Sequence, residues 1–147
     1  MRRTFIALAA LILISCAVSG CANRTRLAAT EPETVEEAVG ALSQLITLHG
    51  VAAKADTVNN AEMVWLMQMH DHDNKLEWVQ RRMRFNNVRT ISLPIDETLG
   101  WKVEVETTIG RYNFHFDKTN PKFAAEFRAA LSKLVRSAGG VAAYPDA

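Results

Sequence analysis

The sequence predicts an α+β domain: an antiparallel sheet of about five or six strands, with one helix before it and one capping helix after it. Three observations carry this. Residues 31–49 and 121–138 each place apolar side chains at helical spacing along one stripe. Between them, residues 63–116 alternate apolar and polar side chains in runs broken by Asn, Gly and Pro. The most regular of these runs, Trp101–Thr107 and Gly110–Phe116, reads as a hairpin.

The chain begins with a different kind of segment. Met1-Arg2-Arg3 is a short positive stretch, and Phe5 to Val18 is an apolar run of signal-peptide length, too short for a membrane span. Ser19 and Gly20 are small and precede Cys21. This order resembles the bacterial lipoprotein signal, whose lipobox here reads Val18-Ser19-Gly20-Cys21. The resemblance implies cleavage between Gly20 and Cys21, diacylation of the Cys21 thiol and acylation of the new amine. Each buried CH₂ contributes ~0.8 kcal/mol, so several acyl chains anchor the protein stably. Ala22 stands where an Asp favours inner-membrane retention, which implies the periplasmic face of the outer membrane. The alternative is an ordinary signal peptide or an uncleaved anchor helix. Arg2-Arg3-Thr4-Phe5-Ile6 also resembles the core of a twin-arginine signal. The minimal positive stretch and the strongly apolar run favour the general secretory route instead.

Composition sets limits on the mature chain. Removing 1–20 leaves 127 of 147 residues, enough for one domain with an ordinary core. The 17 Lys and Arg and 16 Asp and Glu become 15 against 16 once Arg2 and Arg3 are lost. Such a balance gives no global attraction to nucleic acid or anionic lipid. Of the two cysteines, Cys16 lies in the leader and Cys21 at its end. The domain therefore has no disulfide framework and no thiolate zinc site. The expected organisation is a signal at 1–20, a flexible tether at 21–30, one domain at 31–140 and a loose tail at 141–147.

Each element has its own local signals. Helix 31–49 aligns Val35, Ala38, Val39, Leu42, Leu45, Ile46 and His49. Thr30-x-x-Glu33 and Thr34-x-x-Glu37 are both capping-box patterns, Pro32 suits a first turn, and Gly50 suits a C-terminal stop. Residues 51–61 leave room for a short strand before a turn at Asn59-Asn60. Met63–Met69 is a strand apolar on both faces, expected to be covered on both sides. Leu76–Phe85 fits a strand, and Leu76, Val79 and Met83 also fit a helix. After a turn at Asn86-Asn87, Val88–Leu93 is a strand with Val88, Thr90 and Ser92 opposite Arg89, Ile91 and Leu93. Pro94–Gly100 reads as a loop. In the hairpin Trp101, Val103, Val105, Thr107, Tyr112, Phe114 and Phe116 point in, while Lys102, Glu104, Glu106, Arg111, Asn113 and His115 point out. Asn120 caps the last helix, Pro121 opens it, Phe123, Phe127, Ala130, Leu131 and Leu134 form its stripe, and Gly139-Gly140 ends it.

From about Met63 to Ala138, strands ending in F-x-x-V-R-T-I-S-L (85–93), W-x-V-x-V (101–105) and R-Y-x-F-x-F (111–116) precede an amphipathic helix. This order resembles the second half of a pleckstrin-homology-like domain. The resemblance implies a bent antiparallel sheet capped by one helix, serving as a binding or scaffolding module. It carries over no ligand residues. The N-terminal helix is extra to that pattern, and five or six strands fall short of the usual seven. A sheet with two helices on one face is the plainer alternative.

Candidate chemistry is sparse. His70-Asp71-His72-Asp73 could hold a metal through His70 and His72, with a third ligand from His49 or His115. The same four residues also suit a polar loop tip. Met63, Met67 and Met69 could form an adaptable surface or soft ligands, or simply a core strand. Arg81, Arg82, Arg84 and Arg89, with Lys75, form a basic run that could meet anionic headgroups or peptidoglycan acids, or be balanced by Glu77, Glu104 and Glu106. Asp71 with Asp73, and Glu104 with Glu106, are the carboxylate pairs. No Gly-rich phosphate loop, surviving thiol nucleophile or Ser elbow is present. The expected function is a non-enzymatic, membrane-anchored lipoprotein without a cofactor that binds or scaffolds an envelope protein or peptidoglycan. Metal handling through His70 and His72 is one alternative, and a small or degenerate envelope hydrolase is another.

Overall fold

The structure, a computed structural model, describes residues 29–96 and 100–143. The signal, Cys21 and nearly all of the tether lie outside the described residues, as do 97–99 and 144–147. The described chain runs α1 (Val35–His49), β1 (Ala53–Val58), β2 (Glu62–His70), β3 (Leu76–Arg84), a 3₁₀ turn (Phe85–Asn87), β4 (Val88–Ser92), β5 (Ile95–Asp96), β6 (Gly100–Thr107), β7 (Arg111–Phe116) and α2 (Pro121–Ser137).

The fold is α+β with a helix at each end, and its strands form two small antiparallel sheets where the sequence suggested one. The first sheet is the meander β1-β2-β3. The second centres on β6, with β7 along one side and β4 then β5 along the other. Ser92 pairs with Glu104 and Ile95 with Trp101, so β4 and β5 are two pieces of one edge strand broken around Pro94. Each sheet is thus three strands wide. The division arises at the 3₁₀ turn. Phe85 is buried there and its N–H bonds Ala61 O at 2.9 Å, which closes the first sheet and swings the chain toward β6. The loop read at Pro94–Gly100 contains β5, because the Pro94 carbonyl still accepts from the Lys102 N–H at 3.1 Å.

Helix α1 starts at Val35, later than the sequence suggested. Of the two capping boxes, the second forms: Thr34 Oγ1 accepts from the Glu37 N–H at 3.1 Å, and Glu37 Oε2 accepts from the Thr34 N–H at 3.3 Å. Gly50 ends the helix for a reason the pattern did not show. Its φ is −70°, so no left-handed turn is involved; instead an added Cβ would lie 2.4 Å from Ile46 O. That close approach lets Gly50 bridge to Phe116 and Val51 N–H bond His115 O at 2.8 Å. The α1–β1 link thereby stitches the outer edge of β7 to the start of the first sheet.

Other sequence expectations meet particular physical limits. Leu76–Arg84 is a strand paired along its full length with β2, not a helix. A bulge between Val88 and Thr90 resets the alternation of β4, so Val88 and Ile91 are both buried. In β2, Met63, Val64 and Trp65 are buried on both faces, but the strand then outruns the core. Met69, Leu76 and Trp78 on the far half of the β2–β3 ribbon are 38, 59 and 46% exposed. Of the tail expected at 141–147, residues 141–143 run beside β4: Val141 N–H bonds Val88 O at 3.0 Å and Ile91 N–H bonds Ala143 O at 2.9 Å.

Helix α2 is capped as the sequence indicated. Asn120 Oδ1 accepts from the Lys122 N–H at 3.2 Å, with Pro121 at the first position. At its other end Gly139 has φ +82° and its N–H bonds Arg136 O at 3.2 Å, while Gly140 N–H bonds Val135 O at 2.9 Å. These two bonds make a Schellman stop. The buried face of α2 is broader than one stripe, adding Ala124, Ala125, Ala129, Ser132 and Val135. The helix packs on both α1 and the second sheet, so it has two faces to fill.

An aromatic column joins these layers. Trp65 of β2 packs on Phe114 of β7 at 5.0 Å, Phe114 on Phe127 of α2 at 4.9 Å, and Phe127 on Phe116 at 5.1 Å. Trp65 also meets the Tyr112 ring edge-on at 5.2 Å, and the Tyr112 hydroxyl donates to Arg82 O at 3.1 Å. Phe127→Ala should cost about 3–5 kcal/mol, readable as a fall in the urea midpoint at unchanged slope. In the turn before α2, the Thr119 hydroxyl and N–H both donate to Asp117 Oδ1 at 2.7 Å. These bonds, the hydroxyl first, lower the Asp117 pKa. A lowered folded-state value means that the contribution is complete above about pH 4 and fades as pH falls through it. Replacing Asp117 by Asn should therefore flatten the acid limb of stability below pH 4, measured by thermal melts across pH.

Candidate functional site

A cleft of about 400 Å³ lies between the β2–β3 ribbon and β7. Its walls are built by strand alternation. Trp65, Met67 and Met69 stand on one face of β2, and Arg81 on β3 is the register partner of Trp65. Across the cleft β7 contributes Arg111, Tyr112, Asn113 and His115. Because β7 lies at the edge of its sheet, residues of both its faces reach the opening.

Among the polar atoms that cleft-lining residues bury without a hydrogen-bond partner are Trp65 Nε1 and Asn113 Oδ1. Trp65 is fully buried. A buried polar group left unpaired costs about 1–3 kcal/mol, so such atoms call for a reason. The cations around them differ in their partners. Arg111 is shared between Glu104 at 3.6 Å and Glu106 at 3.9 Å, and Lys102 lies 3.2 Å from Glu104. Arg81 instead places Nη2 3.1 Å from the Met69 sulfur, a weak acceptor, and makes no ion pair within 4 Å among the described residues.

The sequence candidates are therefore partly gathered and partly dispersed. Met67, Met69 and Arg81 meet here, while Met63 is core. The basic run does not form one patch. Arg82 and Arg84 alternate onto the opposite face, each near Glu62 at 3.8 and 3.9 Å, and Arg89 is exposed at the β4 bulge. Glu104 and Glu106 balance Lys102 and Arg111 rather than that run. His70, Asp71, His72 and Asp73 sit at the ribbon tip. There Asp71 Oδ1 accepts from the Asp73 and Lys75 N–H groups at 2.8 Å each, and His70 Nδ1 lies 3.3 Å from Asn74 O. His49 stacks on Phe123 with ring centroids 3.6 Å apart. Among the described residues, no three His, Cys, Asp or Glu side chains gather to hold a metal ion.

Arg111, Tyr112 and Asn113 were legible only as hairpin residues, and His115 also as a possible third metal ligand. Nothing in β7 alone shows that it packs against β2, and that packing is what makes the cleft. A second groove of about 370 Å³, lined by Pro32, Leu48, His49 and Phe123 among others, lies along α1 and α2 and contains no comparable orphan polar atom among the described residues. Among those residues no helix is long and apolar enough to cross a membrane. No family model matches the chain, and neither a curated protein nor a solved structure is detectably similar to it.

If Asn113 is kept for binding and not for folding, removing its orphan oxygen should stabilise the domain. Asn113→Val replaces a poor strand former with a good one. It should raise stability by about 1 kcal/mol, a rise in Tm of roughly 3–6 °C for a domain of this size. A fall in Tm would show that Asn113 Oδ1 is paired in solution.

Proposed function

We propose that this chain is a lipid-anchored envelope binding module, held by acyl chains on Cys21 at the periplasmic face of the outer membrane, with the β2–β3/β7 cleft as its ligand site. The observation that carries the reading is the pair of unpaired buried polar atoms, Trp65 Nε1 and Asn113 Oδ1, in a cleft edged by Arg81 and methionines. Flexible apolar side chains around a few fixed polar groups make a recognition surface. The role is binding or scaffolding without catalysis, as the pleckstrin-homology-like order of strands and closing helix also implies.

The placement of the chain supports this reading. Helix α1 has 15 residues and spans about 22 Å. The tether leads into its first turn, and β1 runs back beside its last, with Ala55 N–H on Thr47 Oγ1 at 3.0 Å. The β2–β3 ribbon then extends three residues past the Ala53–Met67 pair. The ribbon tip therefore lies at the opposite end of α1 from the point where the tether enters, which leaves it clear of an anchor at Cys21.

Cys21→Ser protein should fold with an unchanged Tm and leave the membrane fraction for the soluble one. Protein that still pellets with membranes through high salt would contradict the anchor. A photo-crosslinking residue at Met67 in otherwise intact protein should capture a recurring envelope component in cells, whereas one at Lys118 should not.

A further inference from the structure

The orphan atoms Trp65 Nε1 and Asn113 Oδ1 are of opposite sense. Trp65 Nε1 can only donate and Asn113 Oδ1 can only accept. A ligand satisfying both must carry an acceptor and a donor. Arg81 adds a third requirement, an anion, because its nearest polar partner is the Met69 thioether. Met67, Met69 and Tyr112 add a fourth, a small apolar group.

Resting on the reading of this cleft as the ligand site, we propose that it binds the C-terminal end of a peptide: an acylated terminal residue pair with a free carboxylate. The amides of the residue pair supply a carbonyl for the Trp65 indole N–H and an N–H for Asn113 Oδ1. The terminal carboxylate meets the Arg81 guanidinium, with Arg111 on the opposite wall. The side chains lie on Met67 and Met69. Inorganic phosphate would suit Arg81 and the indole but brings little to Asn113, and a fatty acid brings no donor at all. The volume of about 400 Å³ is that of a small-ligand site and not of a protein–protein interface. Both orphan atoms are covered in the free protein, so binding requires lining side chains such as Met67, Met69 and Arg81 to move aside. These chains are unbranched and re-orient at low cost.

Two sources share this chemistry: the C-terminus of an envelope protein, built of L-residues, and peptidoglycan stem peptides, which end in D-residues. The test uses the full-length protein in detergent with ¹⁵N-labelled indoles, Trp65 being assigned by its loss in Trp65→Phe. The probes are N-acetyl-L-Ala-L-Ala, N-acetyl-D-Ala-D-Ala, the C-terminal amide of each, and inorganic phosphate. At least one free acid should shift the Trp65 indole signal saturably, with Trp78 and Trp101 signals unmoved. The amides should bind about ten-fold or more weakly, and Arg81→Gln should weaken the acid by a similar factor, as loss of a charge-assisted bond of ~1.5–3 kcal/mol requires. The chirality of the acid that binds identifies the source. The proposal is overturned if neither acid gives a saturable shift, if the amides or phosphate bind as well as the acids, or if Arg81→Gln binds unchanged. Should the acids fail while the Met67 crosslink persists, the ligand class is wrong and the site stands. Should both fail, the site itself is wrong.

Discussion

The contact between Trp65 and Phe114 is the constraint on which the rest of this fold depends. Among the described residues the two three-stranded sheets share no continuous ladder of strand pairing, and each needs its apolar face covered. What joins them is side-chain packing: Trp65 on Phe114, Phe114 and Phe116 on Phe127, and through α2 the apolar face of α1. The link at Gly50–Val51 adds backbone bonds to the outer edge of β7. Trp65 therefore does two jobs. Its rings close the core, and its side chain lines the cleft that the packing of β7 against β2 creates.

That double duty explains why the cleft sits where it does. The ribbon β2–β3 begins in the core and ends in solvent, so the face of β2 that carries Met63, Trp65, Met67 and Met69 becomes more exposed along its length. The site lies at the transition. Core packing fixes Trp65 on the inner side, while the methionines on the outer side have fewer neighbours and more freedom. The retained orphan polar atoms fit a familiar pattern, in which a binding site keeps groups that folding alone would remove.

Much of the architecture was legible in the sequence because its signals are local. Thr34 with Glu37, Asn120 with Pro121, and Gly139 with Gly140 mark helix ends through bonds made within a few residues. The alternation in β6 and β7 survives because each strand is wet on one face. Other features depended on tertiary geometry. The 3₁₀ turn at Phe85 divides the strands into two sheets, and the Arg89 bulge shifts the parity of β4. Gly50 is required by the approach to Ile46 O and not by its own torsion. The candidate site was legible by half: Met67, Met69 and Arg81 stood out as residue types, but Asn113 and Tyr112 acquire meaning only across the gap from β2. The basic run, conspicuous as a string of letters, is dispersed because neighbouring strand residues point to opposite faces.

The central claim is that the β2–β3/β7 cleft is the surface this protein presents to the envelope. Hydrogen–deuterium exchange on the full-length protein, compared between intact envelope and detergent, tests it most directly. Slowed exchange in the envelope confined to β2 around Met63–Met69, the facing part of β3 and β7 at Arg111–His115 is the predicted result. Unchanged exchange in those strands, or new protection along the exposed side of α1 instead, would contradict the account.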